Sequence, residues 1–220
     1  MKKIGNISLY IFLSPVVILL LTKLATIWSI NFFPSMYSWI FPFFIYYVCI
    51  SLAVFIYCKL HRVSIKAFVP INFKSLPNYR LLFFTILIPA ILPAFVFVTQ
   101  IKNVSLILLN YTMLFAIINP FFEELYWRSF LSRLSENKVF VITFSAFLFS
   151  FSHYFLWGFW FSNPLILFPT LGSTFIMGVL WMIFYQRQKN FLYLYISHFI
   201  VDILNLSVPV FLGLIDVSKI

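Results

Sequence analysis

Long apolar segments of about 20 residues divide this chain, and they limit the folds that it can adopt. Segments of that length cross the ~30 Å hydrocarbon core of a bilayer as helices. Helices are required there because no water is present to satisfy the backbone N–H and C=O groups. Mean hydropathy of +1.04 and a charged fraction of 9% also lie outside the range of soluble domains. The sequence therefore predicts an all-α, polytopic transmembrane bundle in one domain, residues 1–220.

The hydropathy pattern predicts about seven spans. They extend approximately over residues 7–30, 39–58, 81–99, 104–122, 139–161, 165–185 and 191–214, with the fourth helix continuing towards Leu134. The first span follows Lys2 and Lys3 without a small-residue cleavage site, so we interpret it as an uncleaved signal anchor. The basic segment 59–80 is long enough to form an organised loop, which we expect to lie along the membrane surface.

The net charge of +10 would suit a nucleic-acid-binding protein, but its distribution indicates membrane topology instead. If the N-terminus is cytoplasmic, twelve of the fifteen Lys and Arg residues fall at cytoplasmic ends, as the positive-inside rule requires. Lys102 and Lys219 fall outside, and Lys23 lies in the first span. We predict an integral protein of a bacterial cytoplasmic (inner) membrane. Its predicted partner is the lipid bilayer, and no nucleic-acid partner is expected.

Ionisable groups within the predicted spans form three clusters in the second half of the chain. They are Glu123 and Glu124 with Arg128, then His153, then His198 with Asp202 and Asn205. Each cluster alone could be structural: a charge group at a helix end, a buried histidine, or a hydrogen-bonded strut between helices. Ionised groups at membrane depth cost several kcal/mol, however, and a rise of 1.5 Å per residue places the three at roughly 15, 20 and 12 Å. Their compatible depths predict one shared site.

Helical spacing gives the side chains of two clusters a direction. Glu124 and Arg128 are four residues apart and share a face, which predicts an ion pair. Glu123 lies about 100° away around the helix, so its carboxylate is expected to point into a cavity. His198 and Asp202 are also four apart, with Asn205 on the same side.

In chain order, Glu123-Glu124-x-x-x-Arg128, Phe149-x-x-x-His153 and His198-x-x-x-Asp202 resemble the three motifs of the CAAX protease and bacteriocin-processing enzyme family. That family includes the eukaryotic type II CAAX prenyl endopeptidase and bacterial Abi-type membrane proteins. The resemblance covers roughly residues 110–205, including the apolar segment before Gly178.

The resemblance implies an intramembrane endopeptidase that hydrolyses a peptide bond of a membrane-associated protein or peptide. By analogy, Glu123 and His153 would activate the water, and His198 with its motif partner would face the oxyanion. Glu124 and Arg128 would support the site. Many family members carry Asn at the position of Asp202. Because an ionised Asp cannot donate a hydrogen bond, Asp202 would instead orient His198 or stay protonated, with Asn205 as an alternative donor.

Metal use and catalysis itself each leave an alternative open. The family is often described as metalloproteases, and Glu123, His153 and His198 could hold a divalent ion such as zinc. We favour water activation without a cofactor, since the chain lacks a His-Glu-x-x-His helix. The alternative function is a non-catalytic membrane immunity or scaffold protein with the same fold. An ion or proton transporter is disfavoured because no internal repeat is evident.

Overall fold

A computed structural model describes residues 2–34, 37–71, 78–156 and 164–214 of the chain. Within these residues the regular structure is helical, as the sequence predicts. The α-helices are α1 (Lys2–Phe32), α2 (Ile40–His61), α3 (Tyr79–Gln100), α4 (Leu106–Glu123), α5 (Lys138–Leu156), α6 (Pro164–Gln188), α7 (Phe191–Leu204) and α8 (Ser207–Phe211). Residues 157–161 of the predicted fifth span lie outside the described part.

Six of these helices, α1 to α6, are long and apolar enough to cross a bilayer. The prediction of an all-α polytopic bundle is therefore confirmed, and the protein is an integral membrane protein. The orientation of the N-terminus remains a prediction.

The seventh predicted span, residues 191–214, is interrupted. Helix α7 has 14 residues, about 21 Å at 1.5 Å per residue, which is shorter than the hydrocarbon core. Leu206 then adopts a left-handed backbone conformation with φ of 49°, and the short helix α8 follows. The hydroxyl of Ser207 donates to the carbonyl oxygen of Asp202 at 2.9 Å, which satisfies a carbonyl at the end of α7. Hydropathy does not detect this break because both sides of it are apolar.

The fourth helix continues past Glu123, as predicted, but its winding changes. Residues Glu124–Phe130 form a π-helical segment, and Leu131–Arg133 form a 3-10 turn. All seven side chains of the π-helical segment are buried. Such segments are rare and often occur at functional sites. Here the change begins between the two glutamates of the first motif.

Helices α5 and α6 pack closely because Gly178 has no side chain. A Cβ atom at Gly178 would lie 3.0 Å from Cα of Ala146 and 3.3 Å from the ring of Phe149. The contact is extended by Ser150, whose hydroxyl donates to the carbonyl of Leu171 at 2.7 Å. This packing fixes the position of α5, which carries His153.

Several basic loops meet at one end of the bundle. The side chain of Arg133 donates to the carbonyl oxygen of Ala67 at 3.0 Å, and its guanidinium lies 4.1 Å from the ring centroid of Phe68. Partial burial, together with the cations of Arg133 and Lys138, holds the pKa of Lys189 below its usual range. The described part of segment 59–80 thus packs on the bundle through the buried Phe68.

Candidate active site

The first and third motifs meet at the imidazole of His198. Its Nδ1 lies 2.8 Å from Oε1 of Glu124, and its Nε2 lies 3.4 Å from Oε2 of Glu123. Nε2 is also 3.6 Å from Oδ1 of Asp202. All four side chains are buried. Both glutamates therefore reach the same ring, but at different nitrogens, Glu124 at Nδ1 and Glu123 at Nε2. That Glu123 points into a cavity remains a prediction.

Arg128 pairs with Glu124, as the spacing predicts. Its Nε lies 3.4 Å from Oε2 of Glu124, and neither side chain is exposed. The guanidinium carbon also lies 4.0 Å from the ring centroid of Phe149 and 5.0 Å from that of Trp181. Stacking on two aromatic faces stabilises a desolvated cation, so Arg128 is held by one carboxylate and two rings.

Trp181 stacks on the ring of His198. The two rings stack with a centroid distance of 4.5 Å and an interplanar angle of 29°. The indole N–H of Trp181 donates to the hydroxyl of Ser197 at 3.0 Å and to the carbonyl of Thr85 at 3.2 Å. Helices α3, α6 and α7 thereby fix the imidazole plane.

His153 lies next to this cluster, on α5. Its Nδ1 is 2.8 Å from the carbonyl oxygen of Phe149. A carbonyl only accepts hydrogen bonds, so Nδ1 carries the proton and Nε2 of the neutral ring is an acceptor. His153 interacts electrostatically with Glu123, His198 and Arg128, and it is partly exposed, in contrast to His198. The structure thus brings one residue of each motif into the same electrostatic environment.

Asp202 is connected to Glu123 by Asn119, a residue of α4 that the sequence analysis missed. The amide Nδ2 of Asn119 donates to Oε2 of Glu123 at 3.2 Å and to Oδ2 of Asp202 at 3.1 Å. A signal was available, because Asn119 is a polar residue of an apolar span one helical turn before Glu123. Asn205 is not part of this hydrogen-bonded group. It is half-exposed at the C-terminal end of α7, and its side chain makes no hydrogen bond within the described residues.

Tyr46 also holds Glu123 and is itself held by Trp127, and the sequence analysis missed both. The hydroxyl of Tyr46 donates to Oε1 of Glu123 at 3.0 Å and accepts from the indole N–H of Trp127 at 2.6 Å. In a chain with 31 Phe and 12 Tyr residues, no sequence signal separates Tyr46 from the aromatic residues that only pack.

The carboxylates and imidazoles of the site bond with one another and with nearby amide and hydroxyl groups. In the ranges that the structure describes, no group of three His, Cys, Asp or Glu side chains is arranged to hold a metal ion. The described residues as placed therefore do not form a ligand set for zinc.

The fold and the site together define a class: a polytopic helical membrane protein with buried glutamate and histidine side chains between its helices. The family model described as type II CAAX prenyl endopeptidase Rce1-like matches residues 103–204. This match confirms, over residues 103–204, the resemblance that the three motifs indicate. The matched region includes all three motifs and Asn119. Neither a curated protein nor a solved structure matches the chain.

Proposed function

We propose that the protein is an intramembrane endopeptidase that hydrolyses a peptide bond of a membrane-associated protein or peptide, with Glu123 and His153 activating the water. The observation that carries the proposal is the meeting of the motifs: Glu123 and His198 are in contact at 3.4 Å, and the ring of Phe149 in the second motif lies 4.7 Å from that of His153 and 6.2 Å from that of His198. Three unrelated structural struts would have no reason to converge.

The roles follow from which atoms donate and accept. Water bound between Glu123 and Nε2 of His153 loses a proton to Glu123 as its oxygen attacks the scissile carbonyl carbon. The proton then passes to the leaving amine nitrogen, and the C–N bond breaks.

The oxyanion that forms needs a donor. Nδ1 of His198 donates to Glu124, so Nε2 can donate only if the ring is an imidazolium. The carboxylates of Glu123, Glu124 and Asp202 attract that positive charge. Glu124 and Arg128 support the ring without touching the substrate, and Asp202, with Oδ1 3.6 Å from Nε2 of His198, adds negative charge beside the imidazolium.

An apolar groove beside α4 suits a membrane-associated substrate. It has a volume of about 550 Å³, lies between α2 and α4, and is lined by exposed side chains such as Phe44 and Leu114 together with Tyr47 and Phe122. Glu123 does not line the groove, so a substrate segment lying there would contact Phe122, the residue before the proposed base on α4.

Cleavage of a peptide library by the purified protein in detergent tests the proposal, with Glu123→Ala and His153→Ala as the variants. Both substitutions should reduce cleavage per folded molecule to background; the rate is normalised to folded protein because Glu123→Ala also removes the acceptor of Tyr46 and Asn119. Equal cleavage by the wild type and Glu123→Ala would refute the proposal and favour the immunity or scaffold function.

A further inference from the structure

Both the NH₂ group and the oxygen of the Asn119 side chain form hydrogen bonds within the candidate site. Its side chain is 3% exposed. Nδ2 donates one hydrogen to Glu123 and the other to Asp202, at 3.2 and 3.1 Å, while Oδ1 accepts from the hydroxyl of Tyr47 at 3.0 Å. One amide thus connects α2, α4 and α7.

The orientation of this amide is determined by its partners. Carboxylate oxygens only accept hydrogen bonds, so they require the NH₂ group, whereas the phenol of Tyr47 supplies a donor for Oδ1. A flipped amide would place Oδ1 against two carboxylates, so the carboxylates determine the orientation. The hydroxyl of Tyr47 adds a third hydrogen bond in this orientation, because it donates to Oδ1.

Glu123 is consequently held at both of its oxygens. Tyr46 donates to Oε1 at 3.0 Å, and Asn119 donates to Oε2 at 3.2 Å. A glutamate has several rotatable bonds, and without such restraints its carboxylate samples several rotamers. His198 is a competing partner, because its Nε2 is 3.4 Å from Oε2. Rotation towards that ring would change the position of the carboxylate that is proposed to deprotonate the water.

We propose that Asn119 is a positioning residue for the hydrolysis, which acts by fixing the carboxylate of Glu123. The inference rests on the proposed function. The competing explanation is that Asn119 is only a strut that links α4 to α7 through Asp202. Asn119 and Tyr46 lie on different helices but share Glu123 as a partner. If both position Glu123, their substitutions should have coupled effects on kcat. If Asn119 is only a strut between α4 and α7, the two effects should be independent.

The test is a double-mutant cycle of Asn119→Ala and Tyr46→Phe, with kcat per folded molecule and KM as readouts. Asn110→Ala is the matched control because Asn110 is an exposed residue of the same helix. We expect Asn119→Ala to lower kcat at least tenfold with KM within about twofold, because small displacements of a catalytic group cost up to ~100-fold. In the double variant, kcat should differ from the product of the single effects by more than about threefold, as for groups in one hydrogen-bond network.

Two results overturn the role of Asn119: a kcat equal to that of Asn110→Ala, or single effects that multiply independently. If Asn119→Ala does not fold, Tyr47→Phe replaces it, since this change keeps the ring that stacks on Phe122 at 4.7 Å and removes only the donor to the amide. An unchanged kcat in Tyr47→Phe then refutes the proposal. Glu123→Gln distinguishes failure of the proposed function from failure of the role of Asn119. An active Glu123→Gln variant would overturn the proposed function. An inactive Glu123→Gln variant together with a fully active Asn119→Ala variant would overturn only the role of Asn119.

Discussion

Replacement of Glu124 by glutamine is expected to destabilise the bundle more than it impairs the chemistry. Glu124 is fully buried, with Oε2 3.4 Å from Nε of Arg128 and Oε1 2.8 Å from Nδ1 of His198. A glutamine keeps one oxygen that can accept from His198, but it has no negative charge for Arg128. The guanidinium would then remain buried without its paired carboxylate.

Breaking a buried ion pair by removing one partner costs about 3–5 kcal/mol. The lower end applies here, because the guanidinium keeps the ring faces of Phe149 and Trp181 and still interacts electrostatically with Glu123. We therefore expect a loss of about 3 kcal/mol. At roughly 2–4 °C per kcal/mol for a chain of this size, the melting temperature should fall by about 6–12 °C.

Glu123→Gln should give the opposite pattern. The glutamine oxygen can still accept from Asn119, and the hydroxyl of Tyr46 can reverse to accept from the new NH₂ group. The loss of stability is then no more than about one hydrogen bond, ~1 kcal/mol. Turnover should nearly vanish, because the base is lost and a positioned base contributes about 10²- to 10⁴-fold.

Thermal melting in detergent and cleavage rate per folded molecule distinguish the two variants. A melting temperature of Glu124→Gln within about 2 °C of the wild type would contradict the reasoning about the buried pair, since it corresponds to less than about 1 kcal/mol. Near wild-type turnover of Glu123→Gln would contradict the hydrolytic mechanism.

Three further predictions concern topology, metal and helix packing. Reporter fusions should read cytoplasmic at Lys74, Glu136 and Lys189 and extracytoplasmic at Lys102 and Asn163, and reversed signals at two of these sites would exclude the topology. Cleavage should survive exhaustive chelation; activity lost to a chelator and restored by zinc would make Glu123, His153 and His198 ligands. Gly178→Ala should lower the melting temperature, because its Cβ would lie 3.0 Å from Cα of Ala146, whereas Gly172→Ala on the same helix has nothing within 4 Å and gains up to ~1 kcal/mol of helix propensity. Equal shifts in the two variants would contradict the packing argument.

The sequence by itself determined the helical membrane class and the three motifs. Both depend on local information: a bilayer requires apolar helices of a given length, and ionised side chains are too costly there to be incidental. The pair of Glu124 and Arg128 was also predictable, because residues four apart share a helix face.

Only the tertiary structure decided which partners surround the motif residues. Asn119 carried a local signal, but Tyr46, Tyr47 and Trp181 did not, because their roles depend on where α2 and α6 pack. The interruption of α7 at Leu206 was equally hidden, since it is made by backbone conformation and by Ser207 rather than by a change in hydropathy.

The two glutamates of the first motif are the clearest case of this division. Helical spacing places them in different directions around the helix but does not identify their partners. In the fold both carboxylates contact His198, Glu124 at Nδ1 and Glu123 at Nε2, and the buried residues Glu124–Phe130 are π-helical. The sequence determined that these side chains had to be paired, because the membrane penalises an unpaired charge. Their partners were decided by packing between helices, which one-dimensional periodicity does not record.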